Sequence, residues 1–503
     1  MKEIVLSQCH HNNPAIDSPI VLIDTNSMMT NWLPDLTTHS GPLYARLADA
    51  IENAIDGGTL PAGAKLPPQR NLAFDIGVTI GTVSRAYAIM RERGLVSGEV
   101  GRGTYVLAQE APSHAAPHTK HGVSGANFGG TRTHAPVAGM LRFDSTAAPL
   151  NFARDAISAT ATEILAAKPA EIYDYSRSQP EHWRQAGANW LAAGGWKPDP
   201  KTILQTNGAH SGLMAVIAAT TMPGDSIVFE DLTYSSLARS AAMMGRRTVT
   251  VETHSDGIDP EELERVCAQR HPKLIFLMPA CQNPTMGIMS EEKRRAVAEI
   301  AVRYNILIIE DSVYAPRDGS NLVLLAELVP ERVFHVGSLS KSVSAGLRCG
   351  WIACPPHFAN RVQIALKMLS GGIAFLMAET AARLVNSGVA NTVREDNTAE
   401  IRRRVLDARA IFTGVDIDSR EEVPFLWMRL PEPWLSGTYK AAAASEGILI
   451  DDEDEFKVGR SDKTWHRVRI GVSAPEHAFD AHNGLVRLRQ LLDSGAGGYD
   501  TFN

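Results

Sequence analysis

A single lysine, Lys341, stands among small hydroxyl residues in the segment HVGSLSKSVSAGLRCG, and Arg348 follows it seven positions later. A lysine amine condenses with an aldehyde to form a Schiff base when it is desolvated or lies near other positive charge. Serine hydroxyls and an arginine guanidinium are groups that bind phosphate. The segment therefore indicates a lysine that holds a phosphorylated aldehyde.

Four polar residues lie shortly after strand-like apolar runs, namely Tyr234, Asn283, Asp311 and Lys341. Taken alone, each has an ordinary explanation, since Asn-Pro is a common turn pair, an aspartate caps helices, a tyrosine fills a core and a lysine is usually solvated. In a parallel α/β sheet, however, ligands bind at the carboxyl ends of the strands. The four residues together predict a cofactor site at that edge of the sheet.

Pyridoxal 5′-phosphate is the cofactor that needs this combination. A carboxylate must face its pyridine nitrogen, an amide or phenol must hold its ring oxygen, and an aromatic ring must stack on it. Its phosphate needs a helix start, hydroxyls and an arginine. The predicted roles are Lys341 for the Schiff base, Asp311 for the pyridine nitrogen, Asn283 and Tyr314 for the ring oxygen, Tyr234 for stacking, Ser338, Ser340 and Arg348 for the phosphate, and Gly208, Ala209 and His210 for the helix start.

Short β-rich runs alternate with helical patterns after about residue 140. Helical patterns such as DPEELERVCAQRH and SEEKRRAVAEIAVRY predict βαβ units and an α/β fold with a mostly parallel central sheet. A smaller C-terminal α+β subdomain is predicted after residue 356, with strands VPFLWMRL and HRVRIGVS. The strand-like runs of the central sheet are SIVFED (226–231), RTVTVE (247–252), KLIFLMP (273–279), ILIIED (306–311), VFHVGSL (333–339) and CGWIAC (349–354).

A compact helical pattern begins at Pro42 and ends in the Gly-rich sequence GEVGRGTYV. Pro67-Pro68 opens a second helix and Thr79 caps a third, which gives the plan of a winged helix-turn-helix. Its first helix carries an apolar stripe formed by Leu43, Leu47, Ile51 and Ile55. Residues 42–108 hold seven Lys/Arg against six Asp/Glu, so a module for protein contacts is the alternative to DNA binding. The predicted DNA-contacting residues are Arg70, Thr79, Thr82, Ser84, Arg85 and Arg102.

The sequence has 503 residues and a net charge of −7. Its length and composition predict a globular protein with more than one domain. Five scattered cysteines argue against a disulfide framework or a zinc site, and the absence of an export signal at the start favours the cytoplasm. No metal site is predicted, because the histidines near residues 114–134 are irregularly spaced. The predicted domains are a flexible extension (1–38), a DNA-binding domain (39–108), a linker (109–140) and an effector domain (141–503).

The two halves resemble known families. The sequences LPPQRNLA, TVSRAY, RGLV and GRGTYV resemble a GntR-type winged helix, whereas TNGAH, QNPT, EDSVY and SLSK…R resemble the fold type I pyridoxal-phosphate enzymes over roughly residues 141–495. The combination resembles the MocR subfamily of bacterial transcription regulators. The resemblance implies that Tyr175 reaches the phosphate of the neighbouring subunit, that Arg469 binds an effector carboxylate, and that the chain forms a head-to-tail homodimer.

The predicted function is that of a DNA-binding regulator whose aminotransferase-like domain binds pyridoxal phosphate as a lysine aldimine. An amine-bearing effector would form an external aldimine and so change operator affinity. Two alternatives remain open. The first is a working aminotransferase with an accessory winged helix, since Lys341, Asp311 and Arg469 are all present. The second is an N-terminal module that serves only for dimerisation.

Overall fold

The computed structural model describes the chain as two units, Met1–Asn127 and Phe128–Asn503. Arg102, most of the predicted extension and most of the predicted linker lie outside the described residues, and the predicted domain boundaries stay a prediction. Within the described part of the chain, no single helix is long and apolar enough to cross a membrane. The bent pair Gln69–Asp75 and Ile80–Arg91 would be long and apolar enough together, by length and composition only. The described residues are 32–34, 36, 42–61, 64–93, 95–99, 103–106, 139–149, 152–176, 178–315, 323–459 and 463–495.

The first unit consists of helices followed by a hairpin, as the sequence predicts. Strands β1 and β2 pair antiparallel, with Val96 opposite Val106. Thr79 precedes the third helix, and its hydroxyl accepts a hydrogen bond from the backbone N–H of Thr82 at 3.2 Å, which confirms the predicted cap. The elements are α1 (Leu43–Asp56), α2 (Gln69–Asp75), α3 (Ile80–Glu92), β1 (Val96–Glu99) and β2 (Gly103–Val106).

The core of the first unit lies between these helices. Leu47 and Ile51 of the predicted stripe are fully buried, whereas Leu43 is 47% exposed because it is the first residue of α1 and lies at the edge of the packed face. Trp32 and Leu36, from the predicted extension, also pack against this core. The packing of α1 and α2 against α3 therefore fixes the orientation of α3, which carries three of the six predicted DNA contacts, Thr82, Ser84 and Arg85.

The second unit is built on a seven-stranded sheet with the order β4-β12-β11-β10-β9-β5-β6. The strand β12 pairs antiparallel with both of its neighbours, and the remaining pairs are parallel. The residues of β4, β9 and β11 are all buried, as is typical of a sheet covered on both faces. The strands up to β12 are β3 (Leu141–Arg142), β4 (Ile203–Thr206), β5 (Ser226–Glu230), β6 (Arg247–Val251), β7 (Thr253–His254), β8 (Gly257–Ile258), β9 (Leu274–Leu277), β10 (Leu307–Asp311), β11 (Val333–Ser338) and β12 (Gly350–Ala353).

Helices connect and cover these strands, so the parallel βαβ architecture predicted from the sequence is confirmed. The longest, α14, leads into the C-terminal subdomain. The helices of the second unit are α4 (Arg154–Ala167), α5 (Pro169–Tyr173), α6 (Glu181–Leu191), α7 (Ala209–Thr220), α8 (Ser235–Met243), α9 (Pro260–Arg270), α10 (Glu291–Arg303), α11 (Leu325–Leu328), α12 (Ala359–Ser370), α13 (Phe375–Asn386), α14 (Val389–Ile411), α15 (Ser436–Ser445) and α16 (Ala478–Ser494).

The C-terminal subdomain contains an antiparallel sheet with the order β13-β14-β17-β16. Its core includes Leu426, Ile470 and Leu488, and Phe143 packs into it because the neighbouring strand β3 pairs with β15. The chain segment that opens the second unit is thus held by the subdomain that closes it. The strands are β13 (Ile417–Ser419), β14 (Phe425–Arg429), β15 (Ile448–Leu449), β16 (Asp451–Asp452) and β17 (Arg467–Gly471).

Candidate functional site

One cavity of the second unit brings together eleven of the thirteen residues predicted to bind the cofactor or effector. Gly208 lies beside it at the start of α7, and Tyr175 does not line it. Leu213, Met278 and Val313 complete the described lining, and none of the three was predicted as a site residue. The eleven residues are Ala209, His210, Tyr234, Asn283, Asp311, Tyr314, Ser338, Ser340, Lys341, Arg348 and Arg469.

Asp311 is the last residue of β10, and only 3% of its surface is exposed. Its carboxylate accepts a hydrogen bond from the backbone N–H of Val313 at 3.0 Å. Burial raises the pKa of Asp311 to about 6, and the hydrogen bond from Val313 and the nearby charges of His335 and Lys341 offset part of that increase. A buried carboxylate of this kind is stabilised by a cationic N–H partner in the cavity, which is what a protonated pyridine nitrogen would provide.

Lys341 follows β11 and is half-buried. Its Nζ donates a hydrogen bond to Oγ1 of Thr146 at 3.0 Å, and it lies 5.5 Å from the centre of the Tyr314 ring. The Thr146 hydroxyl lies 2.6 Å from the Tyr314 hydroxyl. Sequence reasoning missed Thr146, because it lies far from every motif and reaches the lysine only in the folded chain.

The part of the cavity at the start of α7 has the features of an anion site. The α7 helix begins at Ala209, where its first N–H groups have no partner within the helix, and Ser338 and Ser340 are buried nearby. Gly208 has φ +87°, and a Cβ atom at this position would lie 3.0 Å from Nη2 of Arg348. The glycine therefore leaves room for the guanidinium beside the helix start.

His210, the second residue of α7, adjoins this anion site. Its Nδ1 lies 3.2 Å from the Tyr234 hydroxyl and its Nε2 lies 3.4 Å from the Ser240 hydroxyl. Burial, and to a lesser extent the charge of Arg348, lowers the pKa of His210 below its usual value of 6.5. A neutral imidazole at this position holds the Tyr234 ring without adding charge.

Arg469 reaches the cavity from β17 and is 1% exposed. Its Nη1 donates to Oδ1 of Asn283 at 2.8 Å, and its Nη2 donates to the carbonyl oxygen of Asp144 at 3.2 Å and to the carboxylate of Asp451. The Asp451 pairing was not predicted. It joins two neighbouring strands of the C-terminal subdomain and fixes the guanidinium at the cavity wall.

Tyr175 is 82% exposed and lies outside the cavity of its own chain. The resemblance places its hydroxyl at the phosphate of a neighbouring subunit, and that role stays a prediction.

The predicted DNA-contacting residues form an exposed surface at α2 and α3 of the first unit. Arg70, Ser84 and Arg85 are exposed, and Thr82 is half-buried. The guanidinium of Arg85 stacks over the Tyr44 ring at 4.0 Å. These side chains are placed where a recognition helix presents its outer face, while Arg102 lies outside the described residues.

The cavity fits pyridoxal 5′-phosphate by the chemistry of its groups. It offers an amine on Lys341, a buried carboxyl on Asp311 and an anion site at the start of α7. The phosphorylated ring of the cofactor needs all three.

Each of the two units matches the model of a known protein family. A family model described as bacterial regulatory proteins, gntR family, matches residues 43–106, and a model described as aminotransferase class I and II matches residues 138–473. The second match covers more than half of the chain, and an aminotransferase domain of this class implies pyridoxal 5′-phosphate as the cofactor.

Relatives and solved structures agree with these matches. An archaeal alanine:glyoxylate aminotransferase superposes with a TM-score of 0.64 at 22% identity over 71% of this chain and 91% of its own, which shows the fold of the second unit. The Bacillus subtilis protein named uncharacterized HTH-type transcriptional regulator YdeF is 30% identical over 92% of this chain and 97% of its own length. The probable rhizopine catabolism regulatory protein MocR of Rhizobium meliloti is 24% identical over 74% of this chain and 77% of its own length. The chain therefore belongs to the MocR subfamily of GntR-type transcription regulators, which join a winged helix to an aminotransferase-like domain.

Proposed function

We propose that this transcription regulator senses a small molecule that carries a primary amino group. In this proposal Lys341 holds pyridoxal 5′-phosphate through a covalent bond at its Nζ, and the amine of the effector takes the place of Lys341. The winged helix binds an operator near a regulated gene cluster, and effector binding changes the affinity for that operator. The protein acts in the cytoplasm as a head-to-tail homodimer.

The observation that carries the proposal is the meeting of Lys341, Asp311 and the start of α7 in one cavity. The three come from distant parts of the sequence, and surface lysines or capping aspartates need no such arrangement. The proposed contacts are Asp311 to the pyridine nitrogen, Asn283 and Tyr314 to the ring oxygen, Tyr234 to the ring face, Gly208, Ala209, His210, Ser338, Ser340 and Arg348 to the phosphate, and Tyr175 from the partner subunit.

The cofactor supplies an aldehyde carbon that can exchange one primary amine for another. Exchange needs a cofactor that stays in place when Lys341 leaves. The helix start, Arg348 and Asp311 serve this purpose, because they hold the phosphate and the ring without a covalent bond. The Thr146 hydroxyl, 3.0 Å from Nζ, keeps the free amine directed into the cavity before the cofactor binds.

Regulation requires that the effector bind two states of the protein with different affinity. Arg469 and Asn283 link the cavity wall to β17 of the C-terminal subdomain through a 2.8 Å hydrogen bond. A ligand that contacts both residues would bridge the central sheet and this subdomain. Movement of the subdomain is therefore the conformational change that we propose to couple to DNA binding.

Two measurements on the purified full-length protein test the proposal. Borohydride reduction followed by mass spectrometry should locate the cofactor on Lys341, and titration with amines should change the cofactor absorbance and the operator affinity together. Lys341→Ala should lose both responses, whereas Lys201→Ala, at an exposed lysine outside the cavity, should keep both. An unchanged spectrum with every amine, together with a Lys341→Ala protein that still responds, would contradict the proposal.

The alternative is an aminotransferase with an accessory winged helix. It is favoured by the presence of Lys341, Asp311 and Arg469 in the same cavity. Sustained turnover of amino acids and keto acids without operator binding would support it, while a single round of amino transfer would not. Dimerisation through the winged helix alone would be supported by the absence of any footprint on DNA upstream of the gene.

A further inference from the structure

Arg469 and Asp451 form a buried ion pair behind the cavity wall. They stand directly opposite each other on the antiparallel strands β17 and β16, and each is 1% exposed. Arg469 lines the cavity, whereas Asp451 is not among the described lining residues. The aspartate therefore pairs with the guanidinium without itself lining the described cavity.

The hydrogen bonds that Arg469 already makes leave few of its N–H groups for a ligand. A guanidinium has five N–H groups, and a carboxylate that binds it with both oxygens uses either the Nη1–Nη2 edge or the Nε–Nη2 edge. Both edges include Nη2, whose two hydrogens already go to the Asp451 carboxylate and the Asp144 carbonyl oxygen. Nη1 has one bond, to Asn283, so one of its N–H groups remains, and Nε is buried with no acceptor.

Two aromatic rings lie close to the same guanidinium. Its central carbon lies 4.8 Å from the centre of the Phe456 ring and 5.3 Å from that of the Phe425 ring. Arg469 cannot rotate without losing these ring contacts and its hydrogen bonds to Asn283, Asp144 and Asp451, so a ligand meets the guanidinium in its present orientation.

The charges of Arg469 and Asp451 also disfavour the binding of a ligand carboxylate. Asp451 already balances the positive charge of Arg469, so a ligand carboxylate would place a second anion on one buried guanidinium. Displacing Asp451 instead would leave a buried carboxylate without its cation, which is strongly unfavourable. Of the described cations that line the cavity, Lys341 and Arg348 are assigned to the cofactor, so neither replaces Arg469.

We propose that Asp451 is a specificity determinant that excludes a carboxylate from the Arg469 end of the cavity. The effector is then an amine that presents an uncharged hydrogen-bond acceptor there, such as an amide, ester or hydroxyl oxygen, to the remaining N–H of Nη1. This rests on the proposed function, in which an amine reacts at Lys341. This role of Arg469 differs from the one implied by the family resemblance, in which Arg469 binds a carboxylate.

Matched ligand pairs test the inference on the full-length, cofactor-loaded protein. Glycine, L-alanine and longer amino acids are each compared with their own carboxamides by titrating the absorbance of the cofactor. The ratio of the two dissociation constants is then compared between wild type and variants, so that differences in the amine pKa of the ligands cancel. Asp451→Asn keeps a hydrogen-bond acceptor and removes the charge, and Asp451→Ala removes both.

The wild type should bind the carboxamides more tightly. Asp451→Asn should shift the preference at least 10-fold towards the carboxylates, and Asp451→Ala should shift it further. The control is Asp452→Asn on the same strand, whose carboxylate pairs with Lys440 at 3.0 Å, and it should leave the ratio unchanged.

If the wild type prefers carboxylates and the Asp451 variants weaken their binding, Asp451 only orients Arg469 and the inference is overturned while amine sensing stands. If no ligand of either kind changes the spectrum of any variant, both the inference and the proposed function are overturned.

Discussion

The Nζ atom of Lys341 lies 3.0 Å from Oγ1 of Thr146, although 195 positions separate the two residues in the sequence. Thr146 belongs to the short segment after β3, and the same hydroxyl lies 2.6 Å from that of Tyr314. Because Thr146 is 3% exposed, water does not replace this contact. The opening segment of the second unit thus positions the amine that the sequence motif supplies.

The first prediction concerns this hydroxyl. Thr146→Val removes the acceptor while keeping the shape of the side chain, and one lost hydrogen bond of about 1 kcal/mol corresponds to a change of roughly 5- to 10-fold. The rate at which the cofactor band appears after pyridoxal phosphate is added to cofactor-free protein should fall by about that factor. Thr146→Ser, which keeps the hydroxyl, should load at close to the wild-type rate. Equal rates for the Val variant and the wild type would show that Thr146 does not position the amine.

The second prediction concerns the pH dependence of stability without cofactor. Burial raises the pKa of Asp311 from its ordinary value of 3.8 to about 6. Between about pH 4 and 6 the folded chain keeps a proton that the unfolded chain has released, so this group lowers the free energy of unfolding as the pH rises through that window. Above pH 6 the free energy of unfolding stays lower by about 3 kcal/mol, which is the full effect of the raised pKa.

Asp311→Asn should remove this loss of stability, because the side chain no longer carries a charge and its amide oxygen can still accept the hydrogen bond from the Val313 backbone N–H. In cofactor-free protein the melting temperature of the variant should exceed that of the wild type at pH 8, and the difference should shrink towards pH 4. A constant difference across this range would mean that the Asp311 carboxyl does not titrate as its burial requires. In cofactor-loaded protein the same variant should bind pyridoxal phosphate more weakly, because the pyridine nitrogen loses its counter-charge.

Much of the cavity was predictable because parallel strands put their carboxyl ends on one edge of the sheet. Asp311 ends β10 and Lys341 follows the adjacent strand β11, and the apolar runs of both strands were recognisable as buried strands. The reversed direction of β12 was not predicted, since a fully buried run looks alike in either direction.

The residues that sequence reasoning missed act through contacts between distant segments. Thr146 is one threonine in a segment without a motif. Asp451 belongs to the acidic run DDEDE, which is typical of a solvated turn, yet in the fold four of its five residues are buried. Only strand pairing reveals that Asp451 faces Arg469.

The third prediction concerns the phosphate end of the cavity. In Gly208→Ala the new Cβ would lie 3.0 Å from Nη2 of Arg348, and the positive φ of +87° would add backbone strain. The affinity for pyridoxal phosphate should fall by roughly 10-fold or more, since one charge-assisted hydrogen bond to phosphate is worth about 1.5–3 kcal/mol.

The matched control is Gly224→Ala, at a glycine with φ +90° and no atom within 4 Å of the new Cβ. It should lose thermal stability to a similar extent while its cofactor affinity stays unchanged. Equal cofactor affinity in the two variants would exclude Arg348 from the phosphate site.

The fourth prediction separates two arginines of the recognition helix region. Arg85 is exposed on α3 with its guanidinium over the Tyr44 ring, whereas Arg93 at the end of the same helix forms ion pairs with Asp49 and Glu52. Arg85 is therefore available to DNA, and Arg93 is held by carboxylates. Arg85→Gln should weaken binding to an operator selected from random DNA, and Arg93→Gln should not.

The salt dependence of DNA binding shows whether Arg85 contacts a phosphate or a base. If it contacts phosphate, Arg85→Gln should reduce the slope of log affinity against log salt by about 1 and weaken binding equally on all sequences. If it contacts a base edge, the variant should instead lose about 1–3 kcal/mol of discrimination at one base pair. Because exposed ion pairs contribute little to stability, loss of the Arg93 pairs should not unfold the module. An operator affinity that falls for Arg93→Gln and not for Arg85→Gln would place the DNA on a different face of the winged helix.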